Sequence, residues 1–250
     1  MPIAGKTDTG KQRKMNEDSF FAEKIGDIYL AVVCDGIGGA KGGNVASSTA
    51  VKDFTETFKK SASESIGKDK DKAKDYETIL MSAVASANDA VLLKAAARPE
   101  LRGMGTTLIA FVFDTLTREY YAANVGDSRL YLIDNKTYTL TQISKDHSHV
   151  QELVEQGVMT KEEAENSPFK NYITRVIGAD EEVKVDFFKG KYESGIFLLC
   201  SDGLTNYVEE SDIKKYVAQY VDLEHCTAEL IAKANENGGG DNITAVIVKP

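Results

Sequence analysis

The 250 residues carry 39 Asp and Glu against 30 Lys and Arg, a net charge of -9. That balance argues against a partner such as nucleic acid or an anionic membrane, whose binding needs clustered Lys and Arg. With 42% hydrophobic and 28% charged residues the composition is that of an ordinary globular protein, and no linker divides the chain, so one domain over residues 1–250 is expected.

From the N-terminus, Glu17 and Asp18 stand just before a short strand predicted at Ser19–Ala22. The next strand, Ile28–Cys34, is a continuous apolar run that delivers Asp35 into the turn Gly36-Ile37-Gly38-Gly39. Helical periodicity covers Asn44–Phe58 and Tyr76–Ala97. Between them, Ser61–Asp75 is rich in Lys, Asp and Ser without an apolar face, which predicts a solvated connection. Strands follow at Thr106–Phe113, Glu119–Val125 and Arg129–Ile133, the last two joined by Gly126-Asp127-Ser128. From Asp146 to Asp180 the chain makes an excursion with a helix at His149–Glu155 and a capping pattern of Thr160 with Glu163. Strands at Val183–Phe188, Gly195–Cys200 and Asn242–Val248 and a helix at Leu223–Ala234 complete the chain. Strands in runs, with helices clustered between them, predict an α+β layered sandwich of antiparallel sheets.

Apolar runs such as Ile28–Cys34 and Ala245–Val248 are too short to cross a bilayer, and the N-terminus lacks a basic segment followed by an apolar one. Cys34, Cys200 and Cys226 are widely spaced and read as buried, reduced thiols, which points to the cytoplasm.

The acidic residues fall at strand junctions. Asp35 and Asp202 leave strands, Asp241 enters one, Asp127 occupies a turn between two, and Glu17 and Asp18 precede one. Antiparallel neighbours can bring such positions to one end of a sheet. A single Asp beside Gly is ordinary turn chemistry. Several carboxylates gathered among buried strands are costly without cations. Oxygen donors alone suit Mg²⁺ or Mn²⁺, and zinc is disfavoured by the absence of Cys or His pairs at ligand spacing. Gly36, lacking a side chain, lets its carbonyl approach an ion.

In order, Arg13-x-x-Asn16-Glu17-Asp18, Asp35-Gly36-Ile37-Gly38-Gly39, Gly103-Met104-Gly105-Thr106-Thr107, Gly126-Asp127-Ser128-Arg129, Asp146-His147-Ser148, Ile173-Thr174-Arg175, Ser201-Asp202-Gly203 and Gly240-Asp241-Asn242-Ile243-Thr244 resemble the metal-dependent protein serine/threonine phosphatases of type 2C, the compact bacterial members in particular. The resemblance runs from about Lys6 to Val248. It implies a four-layer α-β-β-α sandwich with a binuclear metal centre at one end of two antiparallel sheets. It further implies that Asp35 bridges two Mn²⁺ or Mg²⁺ ions, that Asp202 and Asp241 complete one, and that Glu17 and the Gly36 carbonyl bind the other. Asp18 would hold water on the ions, Asp127 with Asp202 would take a third ion, and Arg13 would bind the substrate phosphate. The segment at about 148–180 matches the position of a mobile flap. Substrates would be phosphorylated proteins, a cognate serine/threonine kinase among them. A monomer is the default expectation.

The residues agree with direct attack by water. Neither Cys34 nor Cys200 is followed by Arg six positions later, and no Ser sits in a Gly-x-Ser-x-Gly elbow. Ile37 stands where many eukaryotic relatives carry a His able to protonate the leaving alkoxide. Simpler roles are expected for His147, which fixes a loop entry, for Asp146, which caps the helix starting near Ser148, and for Ser128 and Arg129, which close a turn. A catalytically silent binding module and another two-metal phosphoester hydrolase are the competing readings.

Overall fold

The computed structural model describes residues 2–37, 42–66, 75–137 and 139–250. In chain order its elements are β1 (Ile3–Asp8), β2 (Asp18–Ile25), β3 (Ile28–Ile37), α1 (Gly43–Ile66), α2 (Tyr76–Ala97), β4 (Gly105–Thr106), β5 (Leu108–Asp114), β6 (Glu119–Val125), β7 (Arg129–Ile133), β8 (Leu140–Gln142), α3 (His149–Glu155), α4 (Lys161–Glu165), β9 (Asp186–Lys191), β10 (Ile196–Cys200), α5 (Asp202–Thr205), α6 (Glu210–Gln219), α7 (Leu223–Glu236) and β11 (Ile243–Val248). One sheet runs β1-β11-β10-β7-β8 and the other β2-β3-β5-β6-β9, with β4 paired to β3. All these pairings are antiparallel.

Alternation along the central strands explains the layers. In β3, Tyr29, Ala31 and Val33 face the other sheet, where they meet Phe197, Leu199, Val246 and Val248. The intervening Leu30, Val32 and Cys34 face α1 and α2, packing with Phe54, Phe58, Leu80 and Val84. On the far side Leu198, Cys200, Ala245 and Ile247 turn outward to meet Ile213 of α6 and Leu230 and Ala234 of α7. A period of two buried on both faces needs apolar residues throughout, which is why β3 and β10 read as unbroken apolar runs. The result is the α-β-β-α sandwich.

Several elements differ from the sequence expectation. Helix α1 extends to Ile66, because Ala62 continues the buried stripe of Phe54 and Phe58; residues 67–74 of the expected connection, and Gly38 and Gly39 of the expected turn, lie outside the described residues. Strand β9 begins at Asp186 instead of Val183, since its partner β6 reaches the Gly126 turn where Asn124 pairs with Asp186. Val183 and Val185 pack against the core from the preceding loop. The expected strand at Thr106–Phe113 is broken at Thr107, whose side chain serves Asp35. Strands β1 and β8 and helices α5 and α6 are additions. Among the described residues only α2 is long and apolar enough to cross a membrane by length and composition, with a mean hydropathy of 1.4. Its face of Ile79, Leu80, Ala83, Val84, Ala87 and Val91 is buried in the protein core.

Candidate metal centre

The sheet pairings bring the acidic residues to one end of the sandwich. Asp18 opens β2 directly opposite Asp35 of β3. Asp202 begins α5 just after β10, and Asp241 precedes β11, the neighbour of β10. Asp127 lies in the turn between β6 and β7. Thr107 sets the height of Asp35: its hydroxyl accepts from Asp35 N at 2.9 Å, and its N–H donates to the Asp35 carbonyl at 2.8 Å. Ser128 shares a hydrogen bond of 2.7 Å with the same hydroxyl, tying the Asp127 turn to β3.

Glu17 is held from two sides. Its N–H donates to Asn242 Oδ1 at 2.8 Å, and its carbonyl accepts from Gly36 N at 3.1 Å. The Glu17 carboxylate, the Gly36 carbonyl and the backbone of Gly43 come together so closely that a Cβ on Gly43 would lie 2.6 Å from Glu17 Oε1 and 2.8 Å from Gly36 O. A Cβ on Gly36 would collide with Gly43 O. Both glycines are therefore required for this approach.

Asp18 is buried, and hydroxyls from the opposite sheet fix one of its oxygens. Ser201 and Thr244 donate to Oδ2 at 2.7 and 2.6 Å, leaving Oδ1 buried without a partner. Glu17 Oε1 and Asp202 Oδ1 are likewise buried and unpartnered. Asp202 Oδ2 accepts from Asn206 at 2.9 Å. Arg13 donates to Asp241 Oδ2 at 2.8 Å from the exposed loop between β1 and β2.

Loss of solvation raises the carboxyls of Glu17, Asp18, Asp35, Asp127 and Asp202. Asp18 is pushed up to about 7, the charges of Asp202 and Asp241 adding to burial and the two hydroxyls opposing it. Asp35 and Asp127 are driven well above the usual carboxylate range, Asp35 also by Asp18 and Asp202, and Asp127 also by Asp202 and Asp146. Carboxylates so crowded must bind protons or cations.

Among the described residues no three His, Cys, Asp or Glu side chains close on one point tightly enough to enclose a cation unaided. The donors present still suit one. They are oxygens alone, three of them buried with nothing to bind, and the Gly36 carbonyl joins Glu17 where a Cβ would block access. The pull of Arg13 on Asp241 is the contact such an ion would have to replace.

Beside Asp127 and Asp202 lies a cavity of about 600 Å³, walled on its other side by Val150, Lys161 and Lys170 of the 148–180 segment. That segment leaves and returns through bridges between Ser148 and Ile173 and between Thr106 and Ile177. His147 secures its base. Nδ1 accepts from Gly126 N at 3.0 Å, so Nε2 carries the proton and faces Asp186 Oδ2 at 3.3 Å. Arg175 Nη1 donates to Asp186 Oδ1 at 2.7 Å. The expected loop-fixing role of His147 is thus observed.

Asp146 requires a correction. Ser148 caps α3, accepting from Gln151 N at 3.3 Å, while Asp146 forms a bidentate pair with Arg129, at 2.9 Å to Nε and 2.7 Å to Nη2. The capping pattern of Thr160 with Glu163 is present. Cys34, Cys200 and Cys226 are buried free thiols, and burial pushes Cys200 up to about 12. Ser201 and Thr244 hold Asp18, and Asn242 holds Glu17, positioning contacts that the sequence motifs around them do not announce. Their proximity to Asp202 and Asp241 was the available signal.

An antiparallel α-β-β-α sandwich with clustered, under-partnered carboxylates at one end defines a hydrolase-like scaffold built for hard divalent cations. The model of the protein phosphatase 2C family matches residues 9–234. The chain belongs to that family. The serine/threonine phosphatase stp of Listeria monocytogenes is 37% identical over 98% of this chain and 94% of its own length. Among solved structures, the serine/threonine phosphatase Stp1 from Staphylococcus aureus superposes with a TM-score of 0.86 at 32% identity, covering 99% of this chain and 94% of the other. The catalytic domain of the phosphatase PstP in complex with two manganese ions gives 0.80 at 32% identity, covering 99% and 96%.

Proposed function

We propose that this chain, as one catalytic domain, hydrolyses phosphoserine and phosphothreonine in proteins with Mn²⁺ or Mg²⁺. The observation that carries this reading is the set of buried, unpartnered oxygens on Glu17, Asp18 and Asp202, in a family whose relatives are named serine/threonine phosphatases. Asp35, Asp202 and Asp241 would hold one ion, and Asp35, Glu17 and the Gly36 carbonyl a second. Asp127 with Asp202 would hold a third. Ions so placed acidify water and neutralise charge on phosphoryl oxygens.

The remaining work falls to side chains. Asp18, with Oδ2 fixed by Ser201 and Thr244 and Oδ1 buried without a partner, would hold water on the ions and take part in proton transfer there. Arg13 is exposed and reaches Asp241 through a flexible stem. When a cation takes the Asp241 carboxylate, the guanidinium is freed to fork two phosphate oxygens. Ile37 offers no proton to the leaving alkoxide, so that proton would come from water held on the ions or from Asp18. We extend the reading to a monomer in the cytoplasm that opposes a serine/threonine kinase, in keeping with three free buried thiols.

Purified protein with Mn²⁺ should hydrolyse p-nitrophenyl phosphate and a phosphothreonine peptide, lose activity in EDTA, and lose it in Asp35→Ala. No turnover with metal present would sink the phosphatase reading and favour a silent binding module.

A further inference from the structure

A second concavity, of about 720 Å³, is lined by residues distinct from those of the cavity beside Asp127 and includes Ile37, the neighbour of Gly36. Its walls are Leu92 and Ala96 from the end of α2, Met104 before β4, Val176 and Ala179 from the chain leaving the 148–180 segment, and Ile37 from the end of β3. The lining is mainly apolar, and its volume falls within the range of about 300–1,000 Å³ usual for ligand pockets. Ile37 is 37% exposed, one of the few large apolar side chains presented to solvent. It follows directly on Gly36 and pairs across to Gly105 of β4, so the groove opens one strand residue beyond the candidate metal centre. Arg102 stands on the rim, exposed, with no ion pair among the described residues. In a chain of net charge -9, an unpaired cation beside an apolar groove complements a ligand carrying a carboxylate next to an apolar side chain.

We infer that this groove binds the substrate polypeptide itself, taking an apolar side chain within three residues of the phosphorylated Ser or Thr, with an adjacent acidic residue against Arg102. The inference rests on the phosphatase reading and deepens it. Three features choose this occupant. The groove is continuous with the centre through Ile37. An extended peptide advances about 3.3 Å per residue, so a neighbour of the phosphoresidue reaches it without leaving the surface. The charge on its rim is of the sign an acidic peptide needs. On this reading Ile37 contributes the near wall of a specificity pocket.

The test compares phosphothreonine peptides that differ only in Leu or Gly at each position within three residues of the phosphothreonine, with Glu or Lys beside it, in Mn²⁺. Wild type should favour a Leu-Glu peptide over its Gly-Lys counterpart by at least about tenfold in kcat/KM, the scale of partly burying a leucine. Ala96→Glu and Ala179→Glu, both at exposed positions, should bring the Leu-over-Gly preference at a fixed neighbouring residue to near one, and Arg102→Glu should reverse the preference for Glu over Lys. Equal kcat/KM for all peptides in wild type overturns the groove while leaving the phosphatase reading intact. Turnover of neither peptides nor p-nitrophenyl phosphate overturns both. A concentration-dependent dimer abolished by Ala96→Glu, with no peptide preference, assigns the groove to a second copy and overturns the inference.

Discussion

Asn242→Ala isolates the clamp that holds the N-terminal loop over the acidic cluster. The Asn242 side chain is 3% exposed and makes three hydrogen bonds: Nδ2 donates to Thr9 O and Met15 O, both at 2.9 Å, and Oδ1 accepts from Glu17 N at 2.8 Å. Each is worth roughly 0.5–1.5 kcal/mol net, and a buried group left unpaired costs about 1–3 kcal/mol. Thr9, Met15 and Glu17 are only partly buried or exposed and regain some water, so the sum is discounted to about 3 kcal/mol. Urea unfolding of metal-free protein should show this loss as a lower midpoint at unchanged slope. Released from Asn242, the Glu17 backbone no longer fixes its carboxylate beside Gly36, and calorimetry should record weaker Mn²⁺ binding. Asn242→Asp keeps the acceptor for Glu17 N but turns a buried carboxylate oxygen toward the carbonyls of Thr9 and Met15, and should lose at least as much as Ala. A loss below about 1 kcal/mol in both variants, with Mn²⁺ affinity unchanged, would refute the clamp.

Other expectations address the site directly. Asp127→Ala should reduce turnover while calorimetry still records two bound ions, and wild-type turnover would remove the third ion. Arg13→Ala should raise KM for p-nitrophenyl phosphate about tenfold or more, the scale of a charge-assisted pair, and an unchanged KM would end its phosphate role. Metal-free stability should fall as pH rises. Asp18 is raised in the fold from 3.8 to about 7, so the folded chain holds more protons than the unfolded chain between those values. The stability this gives is fully present below the unfolded value and is lost as pH rises through 7. Between pH 5 and 8 the loss from this group is about 3 kcal/mol. Unfolding in EDTA against Mn²⁺ checks it, and a flat EDTA profile contradicts it.

How much of this was legible depended on how local each signal was. The bounds of α2, β6, β7 and α3 agree with the sequence, because each has strong periodicity or alternation flanked by Gly, Asp or Ser. The placing of acids at strand ends was equally local. Strand β1 was hidden because its partner, β11, lies at the other end of the chain, and its Gly5 is there to admit the Phe20 ring. Helix α6 buries only Ile213 and Val217, too little for periodicity to register. The Arg129–Asp146 pair and the His147–Asp186 contact join residues 17 and 39 positions apart, so no sequence window contains their reason. Asp146 stands where sequence alone places a cap for α3, but Ser148 caps that helix and the partner of Asp146 is Arg129, 17 positions away.

The hydroxyl cradle of Asp18 spans the two sheets. Asp18 belongs to the sheet that carries β2 and β3, whereas Ser201 and Thr244 belong to the end of β10 and to β11 of the other. A slide of one sheet over the other by a fraction of an ångström would therefore stretch these two bonds and swing Oδ1 off its aim. The aromatic packing of Phe111 and Phe197 between the sheets, with ring centroids 4.5 Å apart, resists such a slide. On the proposed role of Asp18, shear stiffness of the sandwich becomes a kinetic property, and cavity-forming changes deep in that layer should lower kcat before they lower the urea midpoint.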